Sequence, residues 1–464
     1  MSITAEPTAT TDAEQPRGKP IGLAISTALV AGTIIGSGIF TLPAALAGIG
    51  WIAIVGFFIS SVGAMLLALV FAYASSRHPA AGGPYAYARE GFGDFMGFQT
   101  AWNYWVGAWV GVAAISVSAV GYLAELIPGL RSNRLAEMLV AAGLVAILTL
   151  IGTRGLAEGG LVSLVMMVLK VVPLLIIGTV GFLAFKSSNL GAANTSGESL
   201  MTAIGMSVTL TLFAYIGVES ASIPGQAVKD PARTIPRATL IGTGLAAVVY
   251  LLSTVAVFGA LPNEDLAASS APFADAARVM FGSWAGPAIA VVAVISCIGA
   301  MNGLILLSGQ MPLAAAADRL APGAFGKVNK QGAPAIGLLI SGALAAVMTY
   351  FGFGEGELVD VYTKLLLIST LATLLPYLMV AAAELRYLIV DARPGAVAGA
   401  GLKVLVTSAS VIYSLWAMSQ AGNEEVALGF LLFLVGVPLY VLILRGLRRR
   451  GGTPSAGAEA SRSG

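Results

Sequence analysis

The sequence predicts an all-α polytopic membrane protein of about twelve transmembrane helices. Three observations carry this. The 464 residues are 57% hydrophobic and only 10% charged, against about 25% charged in an average globular chain. Apolar stretches recur from end to end, with a mean hydropathy of +0.88. Lys and Arg fall on alternate connections, as in chains that cross a bilayer repeatedly.

A hydrocarbon core about 30 Å thick takes roughly 20 apolar residues as helix. Twelve stretches qualify, near 21–45, 51–75, 97–127, 135–153, 159–184, 200–222, 237–260, 284–316, 334–352, 361–383, 397–419 and 426–445. Residues 1–19 and 447–464 are polar, rich in small residues and Pro, and read as disordered cytoplasmic tails. Residues 20–446 read as a single transmembrane domain. The first apolar stretch is too long for a cleavable signal peptide and lacks a small-residue cleavage site.

With the N-terminus placed inside, 19 of the 25 Lys and Arg lie in inner loops and tails. Only Arg131, Arg134, Lys186 and Arg278 lie outside, and Lys170 and Lys364 fall within spans. This bias predicts an even number of spans in the cytoplasmic (inner) membrane, with both termini cytoplasmic.

The composition excludes several functions. One cysteine, Cys297, forms no intrachain disulfide, and one histidine, His78, leaves no His/Cys cluster for a metal. No phosphate-binding GxxxxGK[ST] loop is present. A net charge of +2 offers no field for nucleic acid. No cofactor is expected. An embedded enzyme would need a nucleophile with a base or a metal cluster. A channel would show rings of polar residues on several helices. A non-transporting sensor remains a possible alternative, although the short tails hold no output domain.

Two spans carry breaks. The first contains Gly32-Thr33-Ile34-Ile35-Gly36-Ser37-Gly38-Ile39-Phe40, and the sixth contains Phe213-Ala214-Tyr215-Ile216-Gly217-Val218-Glu219-Ser220. Glycine commonly serves close helix packing, so GSG alone is also a packing motif, and Glu219 a structural acid. Intramembrane ionisable groups, however, mark functional sites. The breaks stand five spans apart, as in transporters built from two inverted five-helix halves. Unwound backbone cannot face lipid, so it lines a cavity. A half-helix starting near Ser37 directs its positive end at an anion. Carbonyls of Ile34, Phe213 and Ile216 suit a cation. Carboxylate at one place and ammonium at the other describe an α-amino acid.

These residues lie in longer motifs: GTIIGSGIFTLPAALAGIG (32–50), GGPYAYARE (82–90), FGDFMGFQTAWNYW (92–105), IGVESAS (216–222), VKDPARTIPRATLIG (228–242) and APFADAARVMFG (271–282). In this order they resemble the amino acid–polyamine–organocation (APC) superfamily, and within it the basic amino acid/polyamine antiporters, including arginine/agmatine exchangers. The resemblance covers about residues 20–445. It implies inverted repeats over about 20–185 and 199–383, two extra helices over about 397–445, and alternating access to a central site. It also implies that the amides of Ser37 and Gly38 bind the substrate carboxylate. The carbonyls of Ile34, Phe213 and Ile216 bind its ammonium.

By the same resemblance, Phe213 replaces a tryptophan that caps the substrate, Tyr104 lies beside the site, and Ser369 contacts the substrate end. Glu219 matches an acid tied to gating and proton response. A tyrosine of the GGPYAY motif, here Tyr85, serves inner-side gating or plain packing. In departures from the arginine exchangers, Val112 replaces an asparagine, Leu304 a tryptophan, and Thr33 an asparagine. Gly107, Ala108, Val112, Ile115 and Leu304 then make an apolar subsite, so a neutral amino acid is favoured over arginine and agmatine. Asn302 or Glu219 remains available to a cationic tail.

Lys170 lies too deep in its span to snorkel. In similar sodium-independent permeases a lysine here takes the place of sodium and links the first and eighth helices. A lysine that simply holds backbone carbonyls fits equally. The expected function is secondary amino acid transport, sodium-independent, by proton symport or exchange. Its expected partners are the amino acid, protons, the lipid bilayer and, through the last two helices, a second copy. Lys364 reads as an interfacial anchor or the i,i+4 partner of Asp360. Asp275 and Arg278 read as a local ion pair on a short outer helix, and Arg89, Glu90 and Asp94 as loop contacts. His78 reads as an exposed loop residue.

Overall fold

The structure, a computed structural model, describes residues 21–36, 38–77, 83–155, 160–220, 228–353, 357–391 and 400–449. Ser37, His78 and both expected tails, apart from residues 447–449, lie outside the described residues. In chain order the helices are α1 (Leu23–Ile34), α2 (Gly38–Ala47), α3 (Ala53–Arg77), α4 (Pro84–Leu126), α5 (Arg134–Thr153), α6 (Gly160–Thr179), α7 (Leu200–Leu212) and α8 (Pro231–Ala260). They continue with α9 (Asn263–Ala267), α10 (Pro272–Phe281), α11 (Ala285–Ala317), α12 (Ala335–Phe353), α13 (Leu358–Arg386), α14 (Gly401–Ser419) and α15 (Asn423–Arg449). The β-structure among the described residues is one isolated bridge, Ile21 to Val228.

Among the described residues, eleven segments are long and apolar enough to cross a membrane, α1 and α2 counting as one. Each overlaps an expected span. The sixth expected span is the shorter apolar helix Leu200–Tyr215. It stops short because Ile216 turns extended and Gly217 has φ 110°. The third expected span starts earlier than its apolar run, at Pro84, because a polar helical turn precedes it and joins it across a kink at Gly93 (φ 81°).

Helices pack in two groups. α1 lies against α8 and α6, and α3 against α8 and α7. α4 lies against α11, and α5 against α12. α13 bridges the groups, packing on α4 most extensively and on α3 as well. Lipid tails supply no hydrophobic force between helices, so association rests on close contact and interhelical hydrogen bonds. Small residues on α4, among them Gly107, Ala108, Gly111, Ala113 and Ala114, allow that contact. α4 is the central element, 89% buried over its apolar window, whereas α15 is 6% buried and lies at the periphery.

At one end of the bundle, α10 is docked by Tyr122. Its hydroxyl donates to Phe40 O at 2.6 Å and accepts from the Phe273 amide at 3.2 Å. Glu125 there holds Arg278 and Arg131, and Arg278 also meets Asp275 at 2.5 Å, so the expected local pair belongs to a larger cluster. The opposite end gathers the end of α3, the start of α4 and the ends of α11 and α13 through ion pairs. By its share of Lys and Arg this is the basic end of the bundle.

Candidate functional site

The first break lies between α1 and α2. Its carbonyls are held by side chains from five other helices. Lys170 of α6 donates to Gly32 O at 3.1 Å, Tyr250 of α8 to Ile34 O at 2.5 Å, and Ser296 of α11 to Gly36 O at 3.4 Å. Tyr362 of α13 donates to Gly38 O at 3.0 Å, and Tyr122 of α4 to Phe40 O at 2.6 Å. Backbone that leaves the helix inside a membrane needs such partners. Ile34 O, expected as a bare acceptor, already receives Tyr250 and the Gly36 amide (2.7 Å). A substrate ammonium there would share or displace these donors.

The second break follows α7. Phe213–Tyr215 form one 3-10 turn, closed by the Ile216 amide on Phe213 O at 3.1 Å. That carbonyl is therefore also occupied. The two breaks meet. A β-carbon at Gly38 would stand 3.0 Å from Ala214 Cα and 3.3 Å from Phe213 Cδ1. One at Gly217 would stand 2.6 Å from Thr33 Cγ2. A β-carbon at Gly38 would push the two breaks apart by a few tenths of an ångström, and at Gly217 only glycine allows both the approach and the positive φ without strain.

Two turns beyond Phe213 the chain places Glu219, which is 1% exposed. Tyr104 of α4 donates to its Oε1, and Tyr377 of α13 to its Oε2 at 2.5 Å. Tyr377 also accepts from the Gly217 amide at 3.3 Å. The acid thus joins the sixth span to the central helix α4 and to α13, which bridges the two groups. A carboxylate accepts several hydrogen bonds, and charge-assisted ones are the strong ones.

The remaining expected residues converge on Gly111. A β-carbon there would lie 3.0 Å from Ser369 Oγ, 3.1 Å from Leu304 Cδ1 and 3.6 Å from Phe213 Cε2. Phe213 meets Tyr362 edge-on, with centroids 6.5 Å apart. Ser369 donates to Gly107 O at 2.7 Å, so its hydroxyl pins α13 to α4. Ala108, Val112 and Ile115 are buried on α4. Ala108 and Ile115 share the Gly111 face by the i, i+3, i+7 rule. Lys170 is 3% exposed, and Gly299 of α11 lies beside its ammonium, with a β-carbon position 3.2 Å from Nζ. It therefore reaches both α1 and α11. Among the described residues no group of His, Cys, Asp and Glu is arranged for a metal.

Tyr85 stands apart from this centre, at the basic end. It donates to Asp318 Oδ2 at 2.7 Å, and Arg89 bonds Asp318 and Asp94, each at 2.7 Å. Nearby, Arg77 meets Glu384 at 3.0 Å and Glu90 at 2.8 Å, and its guanidinium lies 4.1 Å from the Tyr387 ring centre. Arg89, Glu90 and Asp94, expected in a loop, lie within α4, because the helix extends ahead of its apolar run, and they tie it to α3 and the end of α11. Lys364 is exposed near the start of α13.

The sequence reading missed Tyr250, Tyr362, Tyr377 and Gly111. A signal existed for the tyrosines: a phenol within an apolar span needs a partner for its hydroxyl. The identity of each partner depends on helix packing and had no local signal.

The amino acid permease family model matches residues 21–442. The chain is 38% identical over 364 residues to the cadaverine/lysine antiporter of Escherichia coli K12, covering 77% of this chain and 82% of that one. It is 31% identical over 448 residues to the arginine/ornithine antiporter of Pseudomonas aeruginosa, covering 92% and 91%. It is 31% identical over 427 residues to the putrescine transporter PotE of Haemophilus influenzae, covering 91% and 97%. The chain belongs to the amino acid permease family of the APC superfamily, in its basic amino acid/polyamine antiporter group, and is an integral membrane transporter rather than an enzyme.

Proposed function

We propose that this transporter exchanges a cationic amino acid for an amine or amino acid of related shape. The observation that carries the substrate class is the set of relatives, each named for lysine, arginine, ornithine or their amines. This replaces the neutral substrate that Val112 and Leu304 favour on their own. The meeting of two interrupted spans supports alternating access around them, with five-plus-five inverted repeats and the basic end in the cytoplasm.

In this reading the substrate carboxylate takes the start of α2, at the amides of Ser37 and Gly38. Its α-ammonium takes the carbonyls of Ile34, Phe213 and Ile216 in competition with Tyr250. The aliphatic stem runs along Phe213, Leu304 and the Gly111 face. Asn302, two residues from Leu304, is buried on the opposite side of α11, so Glu219 is the group left to the distal cation. Glu219, held by two phenols, closes the basic end and senses occupancy. Lys170 sits between α1 and α11 where a mobile cation would otherwise bridge them, which supports sodium independence.

Sodium-free liposomes loaded with lysine, arginine, ornithine, cadaverine, putrescine or agmatine test this against liposomes loaded with alanine or leucine, and against empty ones. Labelled lysine or arginine is expected to enter only liposomes holding a cationic partner. Entry driven by neutral partners would restore the neutral reading. Entry into empty liposomes under a proton gradient would make the protein a symporter.

A further inference from the structure

A cavity of about 600 Å³ lies at the basic end, away from both breaks. That is within the range of about 300–1,000 Å³ typical of small-molecule sites. Its walls are almost wholly apolar: Phe98, Trp102 and Trp105 of α4, Pro312 of α11, Phe325 of the following loop, and Leu442 of α15. Because α15 is a peripheral helix, the cavity lies beside the bilayer rather than in the bundle core. Trp102 donates to Leu432 O at 2.8 Å and Trp105 to Ser341 Oγ at 2.7 Å, so both indoles are held in place as walls.

The charged residue in the lining is Arg319. It has φ 63°, the left-handed position after a helix that glycine fills more easily. It is exposed, and among the described residues its guanidinium has no carboxylate partner. Asp318, its neighbour, is engaged by Tyr85 and Arg89. Arg445 of α15 lies in sequence between the groove-lining Ile443 and Gly446, and Arg448, Arg449 and Arg450 follow it in the sequence. Clusters of this kind beside a span favour anionic lipid, by about fivefold per cation near the surface.

We propose that this groove binds one anionic phospholipid, its acyl chain against the Trp102 and Trp105 wall and its phosphate at Arg319. The proposal goes beyond substrate exchange. The headgroup would sit one residue from Asp318, so occupancy would bear on the ties that close this end.

The test uses detergent-purified full-length protein titrated with phosphatidylglycerol or phosphatidylcholine carrying a brominated acyl chain, read by quenching of tryptophan fluorescence. Wild type is expected to bind the anionic lipid at least about fivefold tighter than the zwitterionic one. Arg319→Gly should lower that preference by about fivefold while folding normally, since glycine accepts the left-handed backbone, and Arg319→Lys should keep it. A side chain at Gly446, which lines the groove and has open space around it, should block it, so Gly446→Phe should weaken quenching by both lipids. Equal binding of the two lipids by wild type, or a preference unchanged in Arg319→Gly, would overturn the proposal. So would a native mass showing the groove covered by a second chain that excludes lipid.

Discussion

The two interrupted spans solve the same problem with opposite chemistry. The first break offers carbonyls and receives donors from the rest of the bundle: Lys170, Tyr250, Ser296, Tyr362 and Tyr122. The second offers an acid and receives the phenols of Tyr104 and Tyr377. Donors from five helices fix the first break from several directions, whereas the second leans mainly on one acid, with Tyr250 also reaching Ala214 O at 3.2 Å and Tyr377 the Gly217 amide at 3.3 Å. A scaffold shared among many contacts survives the loss of one. A single buried acid with two clients does not, because its removal strands both hydroxyls.

The largest expected effect therefore lies at Glu219. Glu219→Ala should leave Tyr104 and Tyr377 unsatisfied, at about 1–3 kcal/mol each, and lower exchange by about a hundredfold. Counterflow in sodium-free liposomes, with a thermal melt to confirm folding, reads this. Glu219→Gln keeps an acceptor for one phenol and should retain more activity. Wild-type exchange in the alanine variant would mean that the second break is held elsewhere.

Lys170→Ala comes next. It removes the ammonium from Gly32 O, and Gly299 on the α11 side provides no side chain to replace it. A buried carbonyl deprived of its donor costs about 1–3 kcal/mol, so exchange should fall by about tenfold. Recovery of the rate by added sodium would show that the lysine stands in a cation site. Unchanged exchange in sodium-free medium would reduce it to packing.

Tyr250→Phe should be milder. Ile34 O keeps the Gly36 amide at 2.7 Å, so the carbonyl is not stranded. The loss should be about 1 kcal/mol of stability. If Ile34 O receives the substrate ammonium, removing a competing donor should leave KM unchanged or lower it by severalfold. A strongly raised KM would instead make the phenol a direct substrate contact.

The sequence shows how unequal these two breaks are in legibility. Long apolar runs define the spans, because every crossing must satisfy its own backbone. The first break is announced by glycines and hydroxyls within a few residues. The second is readable at Glu219 and Gly217, but its extent is not: the sixth stretch looks helical to 222, yet the α-helix ends at Leu212. The partners are less visible still. Tyr377 lies 158 residues from Glu219, and Tyr250 216 residues from Ile34. Such pairings follow from helix register and not from any local pattern. Val112 and Leu304 illustrate the opposite hazard. Both are apolar, and alone they argue for a neutral substrate, whereas the relatives carry the cationic reading.

The smallest expected effect lies at the basic end, and it asks whether that end moves with the second break. Arg77 of α3 is held by Glu384 of α13, the helix that also supplies Tyr377 to Glu219. If α13 swings when Glu219 is released, the Arg77–Glu384 pair must open in the same step. Arg77→Gln and Glu384→Gln should then change the rate of exchange by about twofold to fivefold with KM unaltered, and the double variant should differ little from either single one. Arg77 is 13% and Glu384 3% accessible, so the pair is largely buried and its coupling should be about 1–3 kcal/mol. Independent, additive effects would place this pair outside the moving part, leaving Glu219 to close the sixth span without help from the end of α13.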